Sequence, residues 1–282
     1  MLGNYLIGLR EGLEAVLIIS ILIGAFRRIG RRDLLPQLWL GVGLATALSL
    51  AVGGLISFGV VGLEERTEEL IAGGLSLVAV AFVTGMIFWM ARHSRGLAAE
   101  LRGDVDRTVA RAGAGAGAGV VLLAFLTVGR EGVETSVFLW AAAQGVASTL
   151  LATVGAVLGI ATAIALGLLI AKGLVRVNLG KFFAITGAFL ILIAAGVLSH
   201  GSGDLQSAGL LPGAHAIAYD ITRTVPADGV LATVVGGVLG LSPSATWLEA
   251  ALWFAYVVVV GAGFFLALRP RTAPALAPAP AR

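Results

Sequence analysis

The chain has 282 residues, 58% of them hydrophobic and only 12% charged, with 40 glycines, no cysteine and a mean hydropathy of +0.99. Soluble domains average roughly 45–50% apolar and about 25% charged residues, so this balance excludes a water-soluble globular domain and predicts an all-α polytopic membrane protein. The formal charge of +3 is spread over short segments between apolar runs, which argues against a nucleic-acid partner, and the lack of cysteine excludes disulfides, thiolate metal sites and iron–sulfur clusters.

A helix needs about 20 mainly apolar residues to cross the roughly 30 Å hydrocarbon core. In chain order, seven segments qualify: 4–26, 38–61, 69–91, 119–143, 147–171, 181–199 and 247–268. The first is not expected to be a cleavable signal peptide, because no positive charge precedes its apolar run and Arg10, Glu11 and Glu14 interrupt it. After it comes a linker with Arg27, Arg28, Arg31 and Arg32; after the third span comes one with Arg92, Arg95, Arg102, Arg107 and Arg111. Lys172, Arg176 and Lys181 lie between the fifth and sixth spans, and Arg269, Arg271 and Arg282 follow the seventh. These fifteen charges share one side, against Arg66 and Arg223 on the other, so the N-terminus is expected outside and the C-terminus in the cytoplasm. Trp39, Trp89, Trp140 and Trp247 fall near the span ends, where amphipathic rings prefer the interface; Trp253 sits deeper.

Three segments lie outside this pattern. GAGAGAG at 113–119 is a flexible or closely packing approach to the fourth span. The segment 200–246 includes GVLATVVGGVLGL at 229–241, too short to cross and read as interfacial or re-entrant. The tail RPRTAPALAPAP is Pro/Ala-rich and expected to be disordered.

REGLEAVLI at 10–18 in the first span returns as REGVETSVF at 130–138 in the fourth. The copies lie three spans apart, an odd step, so they run in opposite directions. This predicts two inverted three-helix repeats plus one extra helix. The expected organisation is a first repeat at 1–91, a cytoplasmic linker at 92–118 and a second repeat at 119–199. An extracytoplasmic segment at 200–246, a seventh span at 247–268 and a cytoplasmic tail at 269–282 follow.

At about 100° per residue, Glu14 falls near 40° and Glu11 near 100° from Arg10, so each motif presents its three ionisable groups on one face. The i,i+4 spacing lets Arg10 pair with Glu14 and Arg130 with Glu134. Gly12 and Gly132 remove side-chain bulk and admit another helix or an ion. Six such charges at the bilayer centre would cost on the order of 15–20 kcal/mol unless paired or hydrated. Arg–Glu pairs serving only as structural locks would use one glutamate per arginine and leave a second over in each motif. With all six ionised the set sums to −2, which calls for a cation.

Four carboxylates without thiol or imidazole form a hard-oxygen site suited to Fe, Mn, Mg or Ca. His93 falls in the Arg-rich linker; His200 and His215 fall at or beyond the outer end of the sixth span, His200 at its mouth with Asp204 four residues on. EERTEE at 64–69 offers Glu64, Glu65, Glu68 and Glu69 as an acidic funnel that would raise local cation concentration, Glu69 lying at the start of a span.

The doubled motif resembles the high-affinity iron permease family, which includes fungal permeases partnered by a multicopper ferroxidase and bacterial permeases of the EfeU type. The likeness extends to MIFWMARHSR at 86–95, VNLGKFFAITGAFLILIAAGVL at 177–198, AYDI at 218–221 and LWFAY at 252–256. It implies that Glu11, Glu14, Glu131 and Glu134 handle iron as transported substrate, with Arg10 and Arg130 supporting them and no permanently bound cofactor. It also implies an extracytoplasmic oxidase or peroxidase partner, a location in the cytoplasmic membrane, and an access route that includes Asp220; Glu249 too stands where relatives often carry an acid. Two positions depart from the family pattern: Ala72 stands where relatives commonly have Glu, and Ser207 where they often have Glu. The expected function is iron import without enzymatic activity. Transport of another hard cation such as manganese, an intramembrane hydrolase with paired carboxylates, and a protein whose Arg–Glu pairs are structural are the alternatives.

Overall fold

A computed structural model of the chain describes residues 1–59, 64–93, 103–105, 107, 116–144, 149–171, 174, 178–221 and 240–269. Among the described residues seven long helices dominate: α1 (Leu2–Arg28), α2 (Leu35–Gly59), α3 (Glu65–His93), α4 (Ala116–Gln144), α5 (Thr149–Ala171), α6 (Leu179–Ser207) and α7 (Trp247–Leu268). A short 3-10 turn, Arg32–Leu34, precedes α2. Most of the 92–118 linker, residues 229–239 of the apolar stretch, and the tail from 270 onward lie outside the described residues, as do Lys172, Arg176 and Arg223.

The sequence makes helices because these runs offer their backbone no partner other than itself once water is gone. Their packing inverts that of a soluble protein. Leu55, Phe58, Leu150 and Val259 stand on the outside, while Arg10, Glu11, Glu14 and Glu131 are buried. Among the described residues six helices, α2 to α7, are long and apolar enough to cross a membrane. The helix α1 has the length, at 27 residues, but three ionisable groups within one and a half turns interrupt its apolarity.

Helix ends follow local chemistry. Asn178 caps α6, its Oδ1 accepting from the Lys181 N–H at 3.1 Å. At α7 the Thr246 hydroxyl oxygen accepts from the Glu249 N–H at 3.2 Å and Glu249 Oε2 accepts from the Thr246 N–H at 2.6 Å, a reciprocal box that satisfies two orphan donors. Just before it, β1 (Ile217–Asp220) and β2 (Ser244–Thr246) pair antiparallel, Asp220 opposite Ser244.

Small residues set the helix pairings. Gly8 lies against Ala156, Gly12 against Ile160 and Ala163, and Val16 against Gly167, so α1 and α5 run parallel. Gly41 meets Val121 and Ala124, and the Ser136 hydroxyl donates to the Ser49 carbonyl at 2.8 Å, so α2 and α4 also run parallel. By contrast, α3 and α6 are antiparallel, Gly73 facing Leu205 and Ser76 facing Gly201. α6 and α7 are antiparallel as well, with Gly187 against Phe264 and Gly203 against Glu249. The helices α1 and α4 cross head to tail, since Asn4 Nδ2 donates to the Leu139 carbonyl at 3.2 Å while Glu11 faces Glu131. α3 runs with α1, Ile7 lying beside Val80 and Val83 and Arg10 beside Met90. Directions therefore alternate along the chain from α1 to α7.

Two differences from the sequence expectation stand out. The sixth helix continues to Ser207, two turns beyond residue 199, so His200 and Asp204 belong to the helix and not to a loop at its mouth. Those turns are rich in Gly and Ser, which lowers their hydropathy; they remain helical because Gly201 and Gly203 pack tightly on Ser76 and Glu249. Trp89, placed by the sequence near a span end, is half-buried close to the end of α3 and carries the Arg130 guanidinium over its ring, a contact that the sequence does not announce.

Candidate functional site

Both motifs come together where α1 and α4 cross. Oxygens of Glu11, Glu14 and Glu131 lie within 4.8 Å of one another, a spacing from which all three reach a common ion at the usual 2.0–2.6 Å. All three are buried. The wheel geometry explains the convergence: one helical face carries each motif, and Gly12 and Gly132 let the supporting helices close in behind it. A Cβ on Gly12 would lie 2.9 Å from the Ala163 Cβ on α5, and one on Gly132 would run into the Ser49 hydroxyl on α2.

The arginines differ. Arg10 is enclosed, its side chain 1% exposed; it contacts Glu11 at 3.1 Å and Glu14 at 3.4 Å and donates to the Met86 sulfur at 2.9 Å. It therefore touches Glu11 as well as its i,i+4 partner Glu14, both on the face the motif shares. Arg130 is 46% exposed, donates to Glu134 at 2.8 Å, stands 4.0 Å from Glu131 and stacks 4.9 Å above Trp89. Glu134 lies outside the three-carboxylate group.

Among the described residues, five buried side-chain atoms have no hydrogen bond: Arg10 Nε, Glu11 Oε2, Glu14 Oε1, Glu131 Oε2 and Glu134 Oε2, of which Glu14 Oε1 faces the Arg10 guanidinium at 3.4 Å. An unanswered buried polar group costs about 1–3 kcal/mol, and four oxygens of one sign in one place form an acceptor set for a cation.

Two cavities flank the motifs. One lies a turn beyond Glu11 and Glu134, lined by Ile7, Val80, Val83, Phe138, Ala141 and Ala194. The other abuts Arg10 among Ile87, Met90, Phe183, Ala184, Gly187 and Phe264. The first wall is almost wholly apolar, while Arg10 stands in the second.

Of the predicted access residues, Glu64, Glu65 and Glu68 are exposed and Glu69 is half-buried at the start of α3. His200 and Asp204 are half-buried on α6, and Asp204 lies within electrostatic reach of His200, Glu69 and Glu249. Asp220 stands exposed on β1. Glu249 is buried against Gly203 and holds the α7 cap; burial, followed by the Glu249 charge, pushes the Tyr219 phenol above its ordinary range. Ala72 is buried and Ser207 exposed. Sequence reasoning missed Met86 and Trp89 as arginine partners, although both lie in the MIFWMARHSR stretch that carries the family likeness.

These features define a polytopic membrane protein enclosing a carboxylate cluster fit for a hard cation. More narrowly, the chain belongs to the iron permease FTR1 family, whose profile matches residues 1–273. It is 36% identical over 274 residues to the ferrous iron permease EfeU of Shigella sonnei, covering 96% of this chain and 97% of that one. The protein of that name from Escherichia coli O157:H7 matches to the same extent. The one from Yersinia pestis is 34% identical over 282 residues, 99% of this chain and 98% of that one. The family and these relatives are permeases, transporters and not enzymes. No solved structure matches the chain.

Proposed function

We propose that the chain imports ferrous iron across the cytoplasmic membrane through a site formed by Glu11, Glu14, Glu131 and Glu134 between α1 and α4. The observation that carries this reading is the buried group of Glu11, Glu14 and Glu131 with unanswered oxygens. The relatives' names supply the metal. With four glutamates and two arginines ionised, the site carries −2, which one divalent ion balances. Carboxylates replace the ion's hydration waters, while Arg10 and Arg130 hold carboxylate rotamers and limit repulsion when the site is empty.

The accompanying topology has seven spans, with α1–α3 and α4–α6 as inverted-topology repeats and α7 as an addition. Two findings support it: the alternating helix directions, and the pairing of α1 with α5 and of α4 with α2, which exchanges into itself when the halves are swapped. The distribution of Lys and Arg favours an outer N-terminus. Glu69, His200, Asp204 and Glu249 then line the outer approach, with Glu64, Glu65, Glu68 and Asp220 nearer the solvent. An extracytoplasmic oxidase or peroxidase partner would control the valence of iron offered there.

Anaerobic uptake of Fe²⁺ into proteoliposomes containing the full chain tests the site. Glu131→Gln is expected to lower uptake at least about tenfold, the range in which metal-site changes alter affinity. Undiminished uptake by both Glu131→Gln and Glu11→Gln would sink the carboxylate site. Competition by Mn²⁺ measures how far the site separates the two metals.

A further inference from the structure

Two copies of one motif, related by the swap of repeats, occupy different settings. In the first copy the arginine is enclosed and both glutamates belong to the three-carboxylate group. In the second the arginine is half-open, and it draws Glu134 to 2.8 Å while Glu131 alone joins the group. Sequence does not impose this difference, because both copies read Arg-Glu-Gly-apolar-Glu. The surroundings differ as well: Met86 of α3 and a cavity wall from α6 and α7 enclose Arg10, while Arg130 has Trp89 and an open flank. Such unequal surroundings of two equivalent motifs are what one facing of a two-fold carrier presents. In a carrier built from inverted halves, the oppositely facing state is reached when each half adopts the arrangement of the other.

The geometry points to a three-plus-one device in which Glu14 and Glu134 alternate as cation ligands, while Glu11 and Glu131 serve in both facings. In the conformation described, Glu11, Glu14 and Glu131 hold the ion and Arg130 keeps Glu134 aside. In the opposite facing, Glu131, Glu134 and Glu11 hold it, Arg130 is enclosed, and Arg10 opens and draws Glu14 away. Arg10 and Arg130 are thus positioning residues: each takes a carboxylate out of the site on one half of the cycle. The ion passes between two overlapping triads that share two ligands, so it is never released to bare lipid. This inference rests on the ferrous-iron reading above.

The test separates binding from transport. Fe²⁺ binding to the purified full chain is measured anaerobically by titration, and flux is measured in proteoliposomes. Each of Glu14→Gln and Glu134→Gln leaves one complete triad, so both are expected to bind Fe²⁺ within about threefold of the unmodified chain while flux falls at least about tenfold. Glu11→Gln and Glu131→Gln damage both triads and are expected to lose at least about tenfold in affinity, as is the double variant Glu14→Gln/Glu134→Gln. Because the chain has no cysteine, Ala194→Cys and Ala184→Cys report on the two flanking cavities without background labelling. With Fe²⁺ bound, Glu14→Gln and Glu134→Gln should shift maleimide labelling of these reporters in opposite directions.

Loss of binding in Glu14→Gln or Glu134→Gln equal to that in Glu131→Gln, in protein that stays monodisperse, would overturn the device, as would normal flux in either. So would labelling that shifts the same way in both. If the unmodified chain neither binds nor moves Fe²⁺, the functional reading falls with it. If the unmodified chain transports and the two second-glutamate variants do as well, the device alone fails.

Discussion

The two motif copies share five positions and a helical face, yet one arginine is 1% exposed and the other 46%. Around Arg10 stand α3 through Met86 and a cavity wall from α6 and α7; around Arg130 there is Trp89 and an open flank. The i,i+4 pairing survives in both because helix geometry alone dictates it. Which carboxylates end up free for an ion depends on what lies beyond the helix, and so the same residues perform different tasks.

The largest effect that would sharpen this contrast comes from removing the arginines. Arg10→Ala leaves Glu11 and Glu14 buried without their countercharge and is expected to cost about 3–5 kcal/mol. Arg130→Ala, at a half-open site over an aromatic ring, should cost only about 1 kcal/mol. Thermal unfolding in detergent measures both; equal losses would erase the distinction drawn between the copies. Next come the glycines, where the copies should behave alike. Gly12→Ala brings a carbon to 2.9 Å from the Ala163 Cβ and Gly132→Ala brings one onto the Ser49 hydroxyl, and each is expected to cost about 1–3 kcal/mol by overpacking. Stability equal to the unmodified chain in one and a marked loss in the other would show that only one copy is tightly backed.

Thr246→Ala lies outside both copies. It removes the acceptor that starts α7 and frees Glu249 from its reciprocal bond, so about 1 kcal/mol of stability should go while Fe²⁺ affinity at the motifs is unchanged. A change in that affinity would tie α7 to the site. The smallest effect is expected for Trp89→Leu, which removes the ring beneath Arg130 and about 0.5–1 kcal/mol. A double-mutant cycle with Arg130→Ala should recover that coupling, and zero coupling would mean the stack contributes nothing.

Much of the bundle was legible because apolar length is an almost sufficient signal once water is absent. The seventh helix has the predicted bounds, 247–268, and the others agree within a few residues except α6. There the last two turns carry Ser199, His200, Ser202 and Asp204, which a hydropathy argument reads as loop and which packing against α3 and α7 keeps helical. In the site, spacing revealed the shared face, the ion pairs and the two glycines. It could not reveal the split between Glu14 and Glu134, or the roles of Met86 and Trp89, since these depend on residues some 40 to 80 positions distant that no local pattern encodes.

The parallel packing of α1 on α5 has a consequence for biogenesis. The helix α1 carries three ionisable groups, and the helix that closes behind Gly8 and Gly12 is α5, four helices further along the chain. At about 5–20 residues per second, α1 must wait on the order of ten seconds before α5 has been synthesised. Through that interval it is a marginal insertion substrate, its arginine answered only by its own glutamates. The REGLE stretch is therefore also the step at which the nascent chain depends most on help from the insertion machinery.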